Sequence, residues 1–270
     1  MSLIQSTPQT PEPGEPALLV RVVRVEGSVP RETDAWMVVQ TSRVSGTIGG
    51  GHLEFDAITR ARAMLAGTEP IPAEAQRYAL GPSLGQCCGG VMWLQFEQLT
   101  AADITTLPAR LQAIDQPVAL FGGGHVGQAI ARQLAHLPFA LHWIDSRDEI
   151  FPTDTPSNIR CEHSDPVQAA VADIAPGSAV LIMSFSHAED LEILAQCLRR
   201  ARETNDLPYI GLIGSQTKWA TFRHRLEARG FNEADFARVT SPIGVPGIAG
   251  KQPEVIAVAV AAQLLQRLPS

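Results

Sequence analysis

The alternation of apolar and polar positions changes character part-way along the chain. Ala17 to Glu26 and Ala35 to Gln40 are rich in strand-forming residues, and Gly27-Ser28-Val29-Pro30-Arg31 between them carries the Gly and Pro of a turn. A hairpin-like start is expected. Gly46-Thr47-Ile48-Gly49-Gly50-Gly51 then leads into His52 to Ala66, where Leu53, Ile58, Ala61 and Leu65 recur at roughly helical spacing. A strand through Tyr78 and Leu80, a loop from Gly81 to Gly90 and a returning strand from Val91 to Phe96 complete an α+β domain over residues 1–100. The periodicity weakens over 101–116, which reads as a linker holding a short helix.

From Pro117 onward strands and helices alternate. Strands are expected at Val118 to Phe121, Ala140 to Asp145, near Arg160, at Ala179 to Phe185 and at Tyr209 to Ile213. Helices are expected after Gly124 and over Ala188 to Arg202, Lys218 to Arg229 and Glu254 to Arg267. This alternation implies a parallel sheet covered on both faces. The expected fold class is therefore α/β: an N-terminal α+β domain followed by a Rossmann-like, doubly wound parallel-sheet domain over residues 117–270.

Composition narrows the function classes. The 270 residues are 45% hydrophobic and 18% charged, ordinary for a globular chain. With 21 Lys+Arg against 28 Asp+Glu the net charge is −7, which argues against a nucleic-acid or anionic-membrane partner. Val255 to Leu265 falls short of the roughly 20 apolar residues that cross a bilayer. Met1 to Pro16 is polar and lacks the features of a secretory signal, so a cytoplasmic location is expected. Cys87 and Cys88 are adjacent in sequence, an arrangement that suits reduced thiols better than a disulfide.

The most specific motif is Gly122-Gly123-Gly124-His125-Val126-Gly127, which fits G-x-G-x-x-G after an apolar strand and before a helix. Gly122, Gly124, His125 and Gly127 are placed to bring backbone close to a phosphate at the helix start. Asp145, at the end of the next strand, offers an acceptor for a ribose hydroxyl, while Arg147 offers a partner for an added phosphate. NAD(P) and other nucleotides both stay open. A P-loop is not formed, because Gln128 follows Gly127 where Lys would stand.

In the first domain, Gly49, Gly50, Gly51 and His52 form a second glycine-rich helix start, read equally as an anion cradle or a tight connection. Gln86-Cys87-Cys88-Gly89-Gly90 joins two thiols to a flexible turn, and either a ligand role or simple packing suits them. Ser215 and Lys218 open a helix after a strand, a further phosphate-facing position. Ser186-His187-Ala188-Glu189-Asp190 reads equally as a ligand contact through His187 or a helix cap at Ser186. The histidines lack zinc-ligand spacing.

Taken in order, these blocks resemble the XdhC/CoxI family, accessory proteins of molybdenum enzymes of the xanthine dehydrogenase type. The resemblance also rests on Tyr209 to Ser215, on Pro242-Ile243-Gly244 and on Gly247 to Ala257. It implies a carrier without catalytic residues that binds the molybdenum cofactor (molybdopterin) as cargo. It also implies a cysteine desulfurase that supplies the sulfido ligand, delivery to the molybdenum-binding subunit of apo xanthine dehydrogenase, and a homodimer. Under that reading Cys87 and Cys88 contact the molybdenum or sulfur end of the cargo. The competing expectation is an NAD(P)-dependent oxidoreductase in which His125 or His187 exchanges a proton; a nucleotide-sensing interaction module is the third.

Overall fold

The computed structural model describes residues 15–81, 89–100, 102–104, 106–107 and 115–268. The chain divides into two compact units, Met1–Gln112 and Ala113–Ser270.

The first unit is an antiparallel sheet of five strands: β1 (Ala17–Glu26), β2 (Trp36–Gln40), β3 (Val44–Gly46), β4 (Gln76–Ala79) and β5 (Val91–Leu99). Their order is β3-β2-β1-β5-β4. Alternate residues of a strand point to opposite faces. Leu18, Val20 and Val22 of β1 therefore meet helix α1 (Gly51–Leu65), which buries Leu53, Ala57, Ala61 and Met64. Ala17 and Leu19 face the other way, onto Val38, Leu99, Ile104 and Leu107. Burial on both faces explains why the first half of β1 is a continuous apolar run. The inward face of α1 is rotated slightly from the expected one: Ile58 and Leu65 lie half-buried at its border.

The second unit holds six parallel strands: β6 (Gln116–Phe121), β7 (Phe139–Asp145), β8 (Ile159–His163), β9 (Ala179–Ile182), β10 (Tyr209–Leu212) and β11 (Val239–Thr240). Their order, β8-β7-β6-β9-β10-β11, is 3-2-1-4-5-6 counted from the first strand of the unit, the order of dinucleotide-binding Rossmann sheets. One face packs against α3 (His187–Glu203), α4 (Gln216–Glu227) and the short α5 (Glu233–Phe236). The other packs against α2 (His125–Leu134) and α6 (Pro253–Arg267). The sequence pattern did not reveal β3, β11 or α5, each four residues or fewer and too short to show a period.

The chain reverses its winding direction between β6 and β9, and glycine makes that junction possible. Gly122 has φ 127°, and a methyl there would lie 2.0 Å from the Met183 carbonyl oxygen. A methyl on Gly127 would lie 1.9 Å from the Gly122 carbonyl oxygen, whereas one on Gly124 meets nothing within 4 Å. Gly127→Ala should consequently lower stability by about 3 kcal/mol, while Gly124→Ala should cost about 1 kcal/mol or less as a cap change. Urea unfolding of the two variants tests the contrast.

Candidate functional site

In open α/β sheets the ligand crevice lies outside the carboxyl ends of the strands, at the switch point. Here that edge is built by the turns after β6, β7, β9 and β10. The loop Gly122 to Gly124 has a firm floor: the Trp143 indole N–H donates to the Gly122 carbonyl at 2.9 Å, and Phe151 packs edge-on against Trp143 at 5.2 Å. Gly124 caps α2 with extended backbone and no side-chain cap, and His125 beside it is exposed. The start of α2 is therefore free of a side-chain cap on this edge.

Asp145 is 1% exposed, and each of its oxygens already accepts two hydrogen bonds. The Arg147 backbone N–H (2.9 Å) and Nε (2.8 Å) reach Oδ1. The Gly123 N–H (2.5 Å) and Arg147 Nη2 (2.8 Å) reach Oδ2. In this arrangement Asp145 offers no spare acceptor to a sugar hydroxyl. Burial alone would raise its pKa; the Arg147 guanidinium, with the Gly123 and Arg147 amides, outweighs that and holds the carboxyl below its ordinary range. Ile150, in the turn Asp148–Ile150, crowds Gly123, where a methyl would lie 2.7 Å from its side chain. Arg147 also stacks on Phe185 at 4.7 Å, a ring 66% exposed.

The turns after β9 and β10 are joined by a buried ion pair. Lys218 Nζ donates to Asp190 Oδ2 at 2.6 Å and to the Ile213 carbonyl at 2.8 Å. Asp190, 2% exposed, also accepts from the Ser184 N–H (2.7 Å) and Ser184 Oγ (2.8 Å). Ser215 and Ser186 cap α4 and α3 by accepting from the backbone N–H of Lys218 and Glu189, both at 3.2 Å. Lys218 therefore braces two strand ends rather than facing a phosphate, and Ser186 acts as the cap. Sequence reasoning had Asp190 in view beside His187 but gave it no role, because its partner lies 28 residues away.

The block Gly247 to Ala257 leads into α6, which packs beside α2. Arg132, in the last turn of α2, pairs with Glu254, in the first turn of α6, at 3.6 Å. This pair and the shared core of Ile130, Leu134, Ala257 and Val260 tie α2 to α6.

In the first unit three sequence blocks do converge. The Gly90 N–H donates to the Ser28 carbonyl at 3.0 Å, and a methyl on Gly90 would lie 2.6 Å from the Glu26 carbonyl oxygen. On the far side of the same turn, a methyl on Gly49 would lie 2.7 Å from the Pro30 ring. The turn from Gly27 to Arg31 is thus wedged between the glycine-rich helix start and Gly89-Gly90, which follow Cys87 and Cys88. The two cysteines themselves lie outside the described residues.

The amides of the helix start are not bare. Glu54 Oε2 accepts from the N–H groups of Ile48 (2.9 Å) and Gly50 (3.2 Å) and from Thr47 Oγ1 (2.5 Å). Gly49 in turn donates to Thr47 Oγ1 at 3.1 Å. This favours the tight-connection reading for Gly49 and Gly50 in this conformation, while Gly51 and His52 stay exposed. Among the described residues, Cys197 is buried and its thiol is pushed up to about 12 by desolvation, which makes it inert. No cluster of three or more metal-ligating side chains forms among them, nor is any helix long and apolar enough to cross a membrane.

A model of the XdhC Rossmann domain matches residues 118–264, more than half of the chain, and a model of the XdhC and CoxI family matches residues 12–78. The chain belongs to the XdhC family. Its matched relatives include the uncharacterized protein YqeB of Escherichia coli K12, 27% identical over 98% of this chain. The chain spans 46% of the length of that relative. A solved structure described as a xanthine dehydrogenase from Bacillus halodurans superposes with TM-score 0.76 at 20% identity, covering 94% of this chain and 92% of that one. At that identity the likeness establishes the fold alone.

Two outcomes follow from the braces at the carboxyl edge. Lys218→Met strands a buried carboxylate and should cost about 3 kcal/mol or more; adding Asp190→Asn should restore part of it, read by urea unfolding of the single and double variants. Asp145, with its carboxyl depressed on folding, contributes stability that is complete above the ordinary value of 3.8 and is lost as pH falls through the lower folded value. In Asp145→Asn the fall in stability between about pH 5 and pH 2 should be shallower than in the wild type, measured by denaturant titrations at stepped pH.

Proposed function

We propose that this protein is a molybdenum-cofactor-binding chaperone. It shelters the cofactor while a cysteine desulfurase supplies the sulfido ligand, then delivers it to the molybdenum-binding subunit of an apo xanthine dehydrogenase. The observation that carries the reading is the presence of both family blocks, in order, on one chain. The description of the Bacillus halodurans structure as a xanthine dehydrogenase is in keeping with it. The sulfido ligand comes from the desulfurase and the carrier itself returns unchanged, so it needs contact surfaces and shielding more than poised acids and bases. The carboxyl edge has that character: Asp145 with Arg147 and Asp190 with Lys218 are held in internal pairs.

In this reading Cys87 or Cys88 approaches the metal end of the cargo, on the segment that ends at the wedge of Gly90 against Ser28. The protein works as a homodimer in the cytoplasm. The competing reading, an NAD(P)-dependent oxidoreductase, is favoured by the 3-2-1-4-5-6 sheet and the glycine loop. It is opposed by the saturated Asp145, which leaves the ribose end without its usual acceptor.

Anaerobic purification followed by metal and oxidised-pterin analysis separates the two. Stoichiometric molybdenum and pterin without turnover supports the carrier; steady nicotinamide turnover with neither overturns it. Replacing Cys87 and Cys88 together by Ala should reduce molybdenum retention several-fold with the melting temperature unchanged. Full retention and full activation of the recipient by that variant would remove the thiols from the cargo site.

A further inference from the structure

Helix α1 turns His52, Phe55, Thr59 and Arg62 outward, four residues spaced as one face of a helix. Phe55 is 67% exposed, the most exposed large apolar side chain among the described residues. The His52 ring lies 6.4 Å from it and tilted by 37°, so the two rings form an open corner rather than a closed stack. The turn carrying Arg31 closes on the start of the same helix: a methyl on Gly49 would meet the Arg31 side chain at 3.4 Å, while one on Gly50 would meet nothing within 4 Å. Among the described residues neither Arg31 nor Arg62 has an ion-pair partner, and both are exposed.

The charges around this corner are arranged by sign. Glu54, the acid of the first turn, is folded inward onto the amides of Ile48 and Gly50. Asp56 is half-buried and lies on the side facing Tyr78, and Glu69 is taken up by Arg60. Glu32 and Asp34, both exposed in the turn that carries Arg31, are the acids left at the rim in this stretch of sequence. Arg31 and Arg62 stand as two exposed guanidinium groups without ion-pair partners among the described residues, one in the turn against the start of α1 and one on its outward face. The combination matches a ligand with a flat heteroaromatic face and an anionic substituent, since such rings stack on aromatic side chains and guanidinium groups pair with anions.

We infer that the outward face of α1 is a binding site for a planar, anionic heterocycle. Phe55 and His52 take the ring face and Arg31 takes the anionic group. That the heterocycle is the pterin of the cargo rests on the proposed function; the site itself rests on the exposed rings and the unpaired cations.

The probe is pterin-6-carboxylate, titrated into the full chain and followed by its fluorescence. Phe55→Ala should weaken binding about tenfold and Phe55→Trp should preserve it. Arg31→Ala should weaken binding several-fold and flatten its dependence on salt. Both positions are exposed, so melting temperatures should not move. Absence of binding to the wild type, or Phe55→Ala binding as tightly as the wild type, overturns the site. Molybdenum and pterin retention measured in parallel keeps the two readings apart. Retention together with Phe55-independent probe binding sinks this site and leaves the carrier; Phe55-dependent binding without retention sinks the carrier and leaves the site.

Discussion

A backbone N–H turned inward by a glycine-rich turn must find an acceptor, because leaving it bare and away from water costs as much as a lost hydrogen bond. Both units of this protein meet that demand with a carboxylate of their own. Glu54 gathers Ile48, Gly50 and Thr47 in the first unit, and Asp145 holds Gly123 in the second. Each acid stands on the element that the loop introduces or faces, so the loop and its support are fixed together. The same constraint decides what the loops offer to a ligand: groups already engaged internally are not on display, and recognition passes to what stands around them.

At the second loop this leaves an asymmetric crevice. The helix start at Gly124 is open, whereas the neighbouring end of β7 is sealed by Arg147 and crowded by Ile150. The strand ends of this Rossmann sheet are locked by Asp145 with Arg147 and by the Asp190–Lys218 brace. Fold and ligand habit separate at the level of individual side chains.

Much of the architecture was legible in the sequence. The apolar runs at Ala17 to Glu26 and Val118 to Phe121 and the long helices have periods that tertiary packing reinforces. The glycines at 122 and 127 announced their turn because close packing there tolerates no side chain. The elements that escaped, β3 and β11, earn their pairing from neighbours rather than from their own composition. The saturation of Asp145 was hidden for a different reason: Arg147 was visible as a candidate phosphate partner, but nothing in residue spacing says which way a guanidinium folds. Phe55 already lay off the helical stripe of Leu53, Ile58, Ala61 and Leu65, but how far it stands out of the fold shows only once the sheet beneath the helix is placed.

The packing of α2 against α6 has a temporal consequence. The core on that face of the sheet joins Ala129, Ile130 and Leu134 from the first crossover helix to Ala257, Val260, Ala261 and Leu264 from the last. During synthesis on the ribosome, the second unit cannot close this layer until α6 has cleared the exit tunnel. Its earliest helix waits, partly wet, for one made more than a hundred residues later.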